Sequence, residues 1–192
     1  MSIPKFSPRT LVLLLIILIV AGLRLLADFV SDPGPLAVFT PIGAMALFGG
    51  AYFSGKIKPF AFPLLTLFVS DVVLSFTVYA PFRSGLLYTG WYWTYGAFAL
   101  MTIAGKFIIK DVTVKNVVIS VVTATLIHWL VSDIGGCLRE PNANAMLSLY
   151  VQRLITAIPY EWKFLAGTAI YSGIMFGVFE FVQRKYPSLK VA

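Results

Sequence analysis

Charge is scarce in this chain, and so are cysteine and histidine. Only 12% of its 192 residues are charged, against about a quarter in a typical soluble domain. Hydrophobic residues make up 59%, and the mean hydropathy is +0.88. The single cysteine, Cys137, excludes an internal disulfide and a thiolate metal cluster. With one histidine, His128, neither a metal site nor a cofactor is expected. This composition predicts a polytopic membrane protein.

The motifs of common enzyme chemistry are also missing. The sequence has no G-x-S-x-G, no H-E-x-x-H, no phosphate-binding glycine loop and no histidine and acid at catalytic spacing. We therefore expect a protein that is not an enzyme and has no catalytic residue. The formal net charge of +7 is explained by the positive-inside bias of membrane loops, so nucleic acid is not an expected partner.

Apolar segments fill almost the whole length of the chain. A helix needs about 20 apolar residues to cross a bilayer, which leaves room for six spans with short connections. A further amphipathic segment, residues 144–158, is too short to span and is predicted to lie at the membrane interface. We expect one all-α transmembrane domain over residues 1–192. The predicted spans are residues 11–30, 38–54, 59–79, 89–109, 112–132 and 164–182.

Lysine and arginine are unevenly distributed between the two sides of this six-span arrangement. Most of the fifteen fall on the side of the N-terminus, for example Lys56, Lys110 and Arg184. Cytoplasmic loops carry the excess of basic residues in membrane proteins. The pattern therefore predicts that both termini are cytoplasmic.

Small residues recur at every fourth position on two of the predicted spans. This spacing lets helix backbones approach closely in a membrane. One interpretation, which we favour, is packing inside the bundle; the other is docking to another membrane subunit. The two sets are Ala46, Gly50 and Ser54 on the second span, and Ala169, Gly173 and Gly177 on the sixth.

Asp71 lies near the middle of the third predicted span. An ionised carboxylate at that depth costs about 2.5–3.5 kcal/mol on insertion scales, so such residues usually face a partner or a cavity. Arg24, in the first span, lies at a similar predicted depth. One interpretation is an ion pair that joins the first and third helices. The other is that Asp71 lines a cavity and binds a polar or cationic ligand, and the sequence leaves both open.

Other candidate binding residues lie toward the external side. His128, in the fifth span, is a candidate ligand-binding group, although a lone intramembrane histidine is often hydrogen-bonded within the bundle. Asp133 can rim the same cavity. Trp91 and Trp93 belong to an aromatic cluster that fits either an interfacial belt or a stacking platform for a flat or cationic substrate. The predicted substrate-binding residues are Asp71, Arg24, His128, Asp133, Trp91 and Trp93.

Four sequence features carry a resemblance that covers most of the chain from about residue 36 onward. They are Pro41-Ile-Gly-Ala-Met-Ala-Leu-Phe-Gly-Gly-Ala-Tyr-Phe53, Leu64-Leu-Thr-Leu-Phe-Val-Ser-Asp71, Tyr150 with Ile158-Pro-Tyr160, and Ile174-Met-Phe-Gly-Val-Phe-Glu180. With them the chain resembles a family of small, uncharacterised bacterial proteins assigned to transport. That family is in turn similar to the substrate-binding S-components of energy-coupling factor (ECF) transporters.

S-components are six-helix membrane proteins that capture vitamins or metal ions from outside and dock on a coupling subunit driven by ATPases. The resemblance implies capture of a small polar or vitamin-like solute from the external side of the bacterial inner membrane. It also implies a transmembrane coupling subunit and ATPases as partners in trans, besides the lipid bilayer. The His-rich N-terminus of the nickel and cobalt branch is missing, which argues against a metal substrate. The alternative function is a structural or accessory subunit of a larger membrane complex.

Overall fold

The structure, a computed structural model, describes residues 7–30, 40–88, 90–138 and 141–189. It contains two short 3-10 helices, Ala80–Phe82 and Pro187–Leu189, and the strands β1 (Arg83–Ser84) and β2 (Leu87–Tyr88), which form a small antiparallel hairpin. The α-helices are α1 (Pro8–Val30), α2 (Ile42–Tyr52), α3 (Lys58–Ser75), α4 (Trp91–Ile108), α5 (Val114–Ser132), α6 (Ile134–Cys137) and α7 (Ala143–Lys185).

The predicted all-α class is confirmed. Among the described residues, α1, α3, α5 and α7 are long and apolar enough to cross a membrane. α2 has 11 residues and is about 16 Å long at 1.5 Å per residue, roughly half of a 30 Å hydrocarbon core. It corresponds to the predicted span 38–54, of which residues 38 and 39 lie outside the described residues. Residue 89, the first of the predicted span 89–109, also lies outside them. The six-span arrangement and the orientation of the termini stay predictions.

The predicted interfacial helix, residues 144–158, is not a separate element. It forms the first part of α7, which has 43 residues and continues through Pro159. The prediction ended the helix there because proline has no N–H for the carbonyl of Ile155 and its ring crowds that turn. That prediction was wrong: the structure keeps helical backbone on both sides of Pro159.

Contacts with α5 explain why the part of α7 before Pro159 stays continuous with the rest of the helix. The Trp129 indole N–H donates to the Leu154 carbonyl at 2.9 Å, and the Tyr150 hydroxyl donates to the Leu130 carbonyl at 2.6 Å. Both bonds join α5 to the part of α7 that precedes the proline. Tertiary contacts of this kind offset the lost intrahelical bond, and they could not be read from the local sequence.

α2 lies at the centre of the molecule. Nine of its residues are buried, and it packs against α3, α4, α5 and α7. A helix that is apolar on every side is stable only where it is enclosed. Its backbone is in close contact with α4: a Cβ at Gly50 would lie 2.8 Å from the Lys106 backbone nitrogen, and one at Gly105 would lie 2.6 Å from the Leu47 carbonyl oxygen. Internal packing is confirmed for this seam at Gly50.

The small-residue seam of α7 has different surroundings. A Cβ added at Gly173 or Gly177 would meet no described atom within 4 Å. Both glycines line a groove of about 590 Å³ between α5 and α7. The favoured prediction of internal packing was therefore wrong for this seam, because no helix of the described chain covers it.

The difference between the two seams generates a stability prediction. We expect Gly50→Ala to destabilise the protein by about 1–3 kcal/mol, because the added methyl group has no room against α4. The matched variant Gly177→Ala is expected to keep or raise stability, since alanine is a better helix former and space is available. Thermal unfolding in detergent measures both. Equal unfolding temperatures for Gly50→Ala and wild type would contradict the close α2–α4 contact.

Candidate functional site

The first of two buried polar clusters joins α1 to α3. Arg24 Nη2 lies 2.7 Å from Asp71 Oδ1, and the two side chains are 11% and 4% exposed. The other terminal nitrogen of Arg24 donates to the Ser70 hydroxyl, which in turn donates to the Leu67 carbonyl at 2.8 Å. Arg24 thus donates to two adjacent side chains of α3, Ser70 and Asp71. These charge-assisted hydrogen bonds fix the position of α1 relative to α3.

The second oxygen of Asp71 is also engaged. The Tyr95 hydroxyl of α4 donates to Asp71 Oδ2 at 3.1 Å. Neither Arg24 nor Asp71 lines the grooves that the described residues form between α5, α6 and α7 or the cleft where α2, α4 and α7 end. Of the two interpretations of Asp71, the geometry therefore supports the ion pair that joins helices. Both residues are predicted binding residues, and the structure brings them together in a structural role.

Tyr88 of β2 adjoins this cluster. Burial raises the pKa of Tyr88 to about 12, and the negative charge of Asp71 adds to the increase, while a hydrogen bond with Thr94 lowers it. The phenol therefore keeps its proton at neutral pH. The Tyr88 hydroxyl is hydrogen-bonded with Thr94 and lies near enough to Asp71 and Arg24 to be affected by their charges.

The second buried cluster joins α5 to α7. His128 Nδ1 lies 2.8 Å from Glu161 Oε1, within hydrogen-bond distance. The imidazole stacks on the Phe164 ring, with the centroids 4.2 Å apart and the planes at 13°. Glu161 is only 9% exposed, and its other oxygen, Oε2, is buried without a hydrogen-bond partner among the described atoms.

Glu161 lines an open groove between α5 and α7, which we call the Glu161 groove. Its volume is about 260 Å³, and it combines one carboxylate and one hydroxyl with two indole rings in an otherwise apolar wall. A carboxylate and aromatic faces together suit a small ligand that donates a hydrogen bond or carries positive charge. The other lining residues are Val122, Thr125, Leu126, Trp129, Ile158, Trp162 and Leu165.

Sequence reasoning identified His128 but missed Glu161. The two side chains belong to different helices and are separated by 33 positions, so no local spacing connects them. The sequence places Glu161 on the external side, between the predicted interfacial helix that ends at residue 158 and the predicted span that begins at residue 164. The available signal was an isolated acid between two apolar stretches, a pattern that marks functional sites in membrane helices.

The remaining predicted residues lie elsewhere. Trp91 is 42% exposed and contacts Tyr95 edge to face, with the centroids 5.3 Å apart. Trp93 packs against Gly135 of α6, and its indole nitrogen is buried without a partner among the described atoms. Asp133 lies half-buried where α5 meets α6. None of these three lines the Glu161 groove, so the structure does not join all the predicted residues in one site.

Within the described residues, fold and sites together define an all-helical protein with four helices long and apolar enough to cross a membrane, a buried Arg24–Asp71 ion pair and a buried His128–Glu161 hydrogen bond between helices. The chain belongs to a family of unknown function, DUF6580, whose model matches residues 4–189. No curated protein matches the chain, and no solved structure does.

The Arg24–Asp71 pair generates a second stability prediction. We expect Asp71→Leu to destabilise the protein by about 3–5 kcal/mol, because it leaves a buried guanidinium unpaired. The double variant Arg24→Leu/Asp71→Leu is expected to lose less than the sum of the two single losses, since no charge is left alone. Unfolding temperatures of the four proteins in detergent give the coupling energy.

The exposed Asp111 supplies the control. Asp111→Leu removes one carboxylate and leaves stability near that of wild type, because substitutions at exposed positions have small effects. Strictly additive losses in the double variant would show that the ion pair does not join α1 to α3.

Proposed function

We propose that this protein is the solute-binding component of a membrane uptake system, similar to the S-components of ECF transporters. It captures a small polar or vitamin-like solute on the external side of a bacterial inner membrane and releases it unchanged. In this proposal all six predicted spans lie in the bilayer, and both termini are cytoplasmic. The observation that carries the proposal is the unpartnered carboxylate oxygen of Glu161 beside the Glu161 groove.

A buried acceptor without a donor is costly for a folded protein. An unsatisfied buried polar group costs about 1–3 kcal/mol, and more when it is charged. Glu161 Oε2 is such an unsatisfied acceptor, and it belongs to a helix that is long and apolar enough to span a membrane. A ligand that donates a hydrogen bond or carries a positive charge would remove the cost, so the site gains stability from binding.

The surroundings of Glu161 prepare it for a ligand. His128 lies within hydrogen-bond distance of Oε1, and Oε2 is a buried acceptor without a partner among the described atoms. Phe164 stacks on the imidazole and limits its rotation. Trp129 and Trp162 line the same groove and offer flat apolar faces. These contacts support an organic solute with an amine or another N–H donor attached to an apolar body.

The energy for uptake must come from other subunits in this proposal. The sequence carries no phosphate-binding glycine loop, so the chain is paired with a transmembrane coupling subunit and ATPases in trans. The chain itself binds and presents the solute and performs no chemical reaction on it.

The proposed site is tested by recovering the solute. Protein purified from bacterial cells in mild detergent is denatured, and released small molecules are measured by mass spectrometry. We expect wild type to release a specific solute and Glu161→Gln to release at least about tenfold less, because a hydrogen bond to a charged group contributes about 1.5–3 kcal/mol. Asp111→Asn removes an exposed carboxylate and serves as the matched control.

Two outcomes would contradict the proposal. Wild type that releases no specific solute shows that the Glu161 groove is not a solute site, and so does equal release from Glu161→Gln. Co-purified proteins then distinguish the functions: ATPases of the coupling-factor type support uptake. Stable partners without ATPases support the alternative of an accessory subunit in a larger membrane complex.

A further inference from the structure

Besides the two buried polar clusters, a further polar region lies at the end of the bundle where α1 begins and α2, α4 and α7 end. It is a cleft of about 470 Å³, which we call the basic cleft. Three cations, Arg9, Lys110 and Arg184, line it together with one acid, Glu180. The distribution of lysine and arginine assigns this end to the cytoplasmic side. The lining therefore carries a surplus of positive charge at a predicted membrane boundary.

The hydrogen bonds in the basic cleft leave that surplus in place. Arg9 donates to the Leu189 carbonyl at 2.7 Å, to Gln183 Oε1 at 3.1 Å and to the Tyr52 carbonyl at 3.3 Å, all of which are neutral acceptors. Glu180 Oε1 accepts from the Tyr52 hydroxyl at 2.6 Å and from Gln183 Nε2 at 3.2 Å. The one acid of the cleft is thus engaged by neutral donors.

The other two cations of the cleft, Lys110 and Arg184, also contribute to the surplus of positive charge. Lys110 and Arg184 are exposed at the ends of α4 and α7. Within the described part of the chain, salt bridges involve Arg24 and His128 and none of the three cations of the cleft. A ligand with negative charge would meet them without displacing an existing ion pair.

The basic cleft continues into the groove between α5 and α7. Val112 and Glu180 line both. The groove is almost entirely apolar, has a volume of about 590 Å³, and includes Gly173 and Gly177, where the absence of side chains leaves open space. One continuous surface therefore runs from a cationic head region to an apolar channel along the helices.

We propose that the basic cleft and this groove together bind one anionic phospholipid. Its phosphate lies among Arg9, Lys110 and Arg184, and one acyl chain lies against Gly173 and Gly177. Cationic pockets at the cytoplasmic ends of membrane helices bind phosphate head groups, and each nearby cation contributes to attraction. A free phosphate compound would use the cleft alone, and a docked apolar helix would not need its three cations.

Helix-end electrostatics explain part of the arrangement. Cations near the carboxyl ends of helices are favourable in themselves, and Arg9 binds carbonyl oxygens at two of these ends. That effect does not explain why an open apolar groove begins at the same place. The lipid accounts for both the unpaired cations and the uncovered glycine seam.

Native mass spectrometry of the purified full-length chain tests the head-group contacts. Phosphatidylglycerol and phosphatidylcholine with identical acyl chains are added, and retained lipid is measured. We expect preferential retention of phosphatidylglycerol, and about fivefold weaker binding in Lys110→Gln and in Arg184→Gln. Lys185→Gln makes the same change of charge one position away, outside the cleft lining, and is expected to bind as wild type does.

A second pair of variants tests the acyl-chain groove. Gly177→Leu extends into the groove from a position where an added Cβ meets no described atom within 4 Å, and we expect lipid retention to fall by the same factor or more. Gly22→Leu adds the same side chain at another open helical position outside the groove and keeps full retention. Unfolding temperatures near that of wild type show that both variants are folded.

The proposal is overturned by equal retention of the two lipids, by equal binding of Arg184→Gln and Lys185→Gln, or by unchanged retention in Gly177→Leu. Displacement of phosphatidylglycerol by glycerol phosphate at equal concentration would also overturn it, since that result assigns the cleft to a soluble phosphate.

Glu161→Gln is expected to retain phosphatidylglycerol, because Glu161 lines neither the cleft nor this groove. Failure of the solute proposal therefore leaves this one separately testable.

Discussion

The close contact between α2 and α4 is the constraint on which the rest of the structure depends. α2 has 11 residues, nine of which are buried, and enclosure by neighbouring helices is what makes its apolar surface stable. Gly50 and Gly105 allow the two backbones to touch, and α3, α5 and α7 pack around this pair. The positions of the ion pairs and of both grooves follow from that arrangement.

Polar groups inside the bundle have two distinct roles. At Asp71 both carboxylate oxygens have partners on α1 and α4, so the charge is used to fix helices. At Glu161 one oxygen is bound by His128 and the other is left open. Among the described residues, the two buried acids therefore differ in their hydrogen bonding, because both oxygens of Asp71 have partners and one oxygen of Glu161 has none.

Part of this was predictable from single residues. The apolar composition indicated helices, and a lone acid and a lone base at similar predicted depth made the Arg24–Asp71 pair a reasonable interpretation. The predicted helix end at Pro159 was wrong, because it relied on the local effect of proline alone. Contacts made by Trp129 and Tyr150 keep the helix continuous. Glu161 therefore fell between two predicted helices, and its contact with His128 was not predicted.

The sequence by itself determined the helical class, the apolar character of the chain and the presence of a few costly charges among apolar residues. Only the tertiary structure decided which glycine seam is closed and which is open, because Gly50 faces α4 whereas Gly173 and Gly177 face a groove. It also decided which buried acid is satisfied. Spacing along one helix specifies a face, but the helix that covers that face is determined by packing across the whole chain.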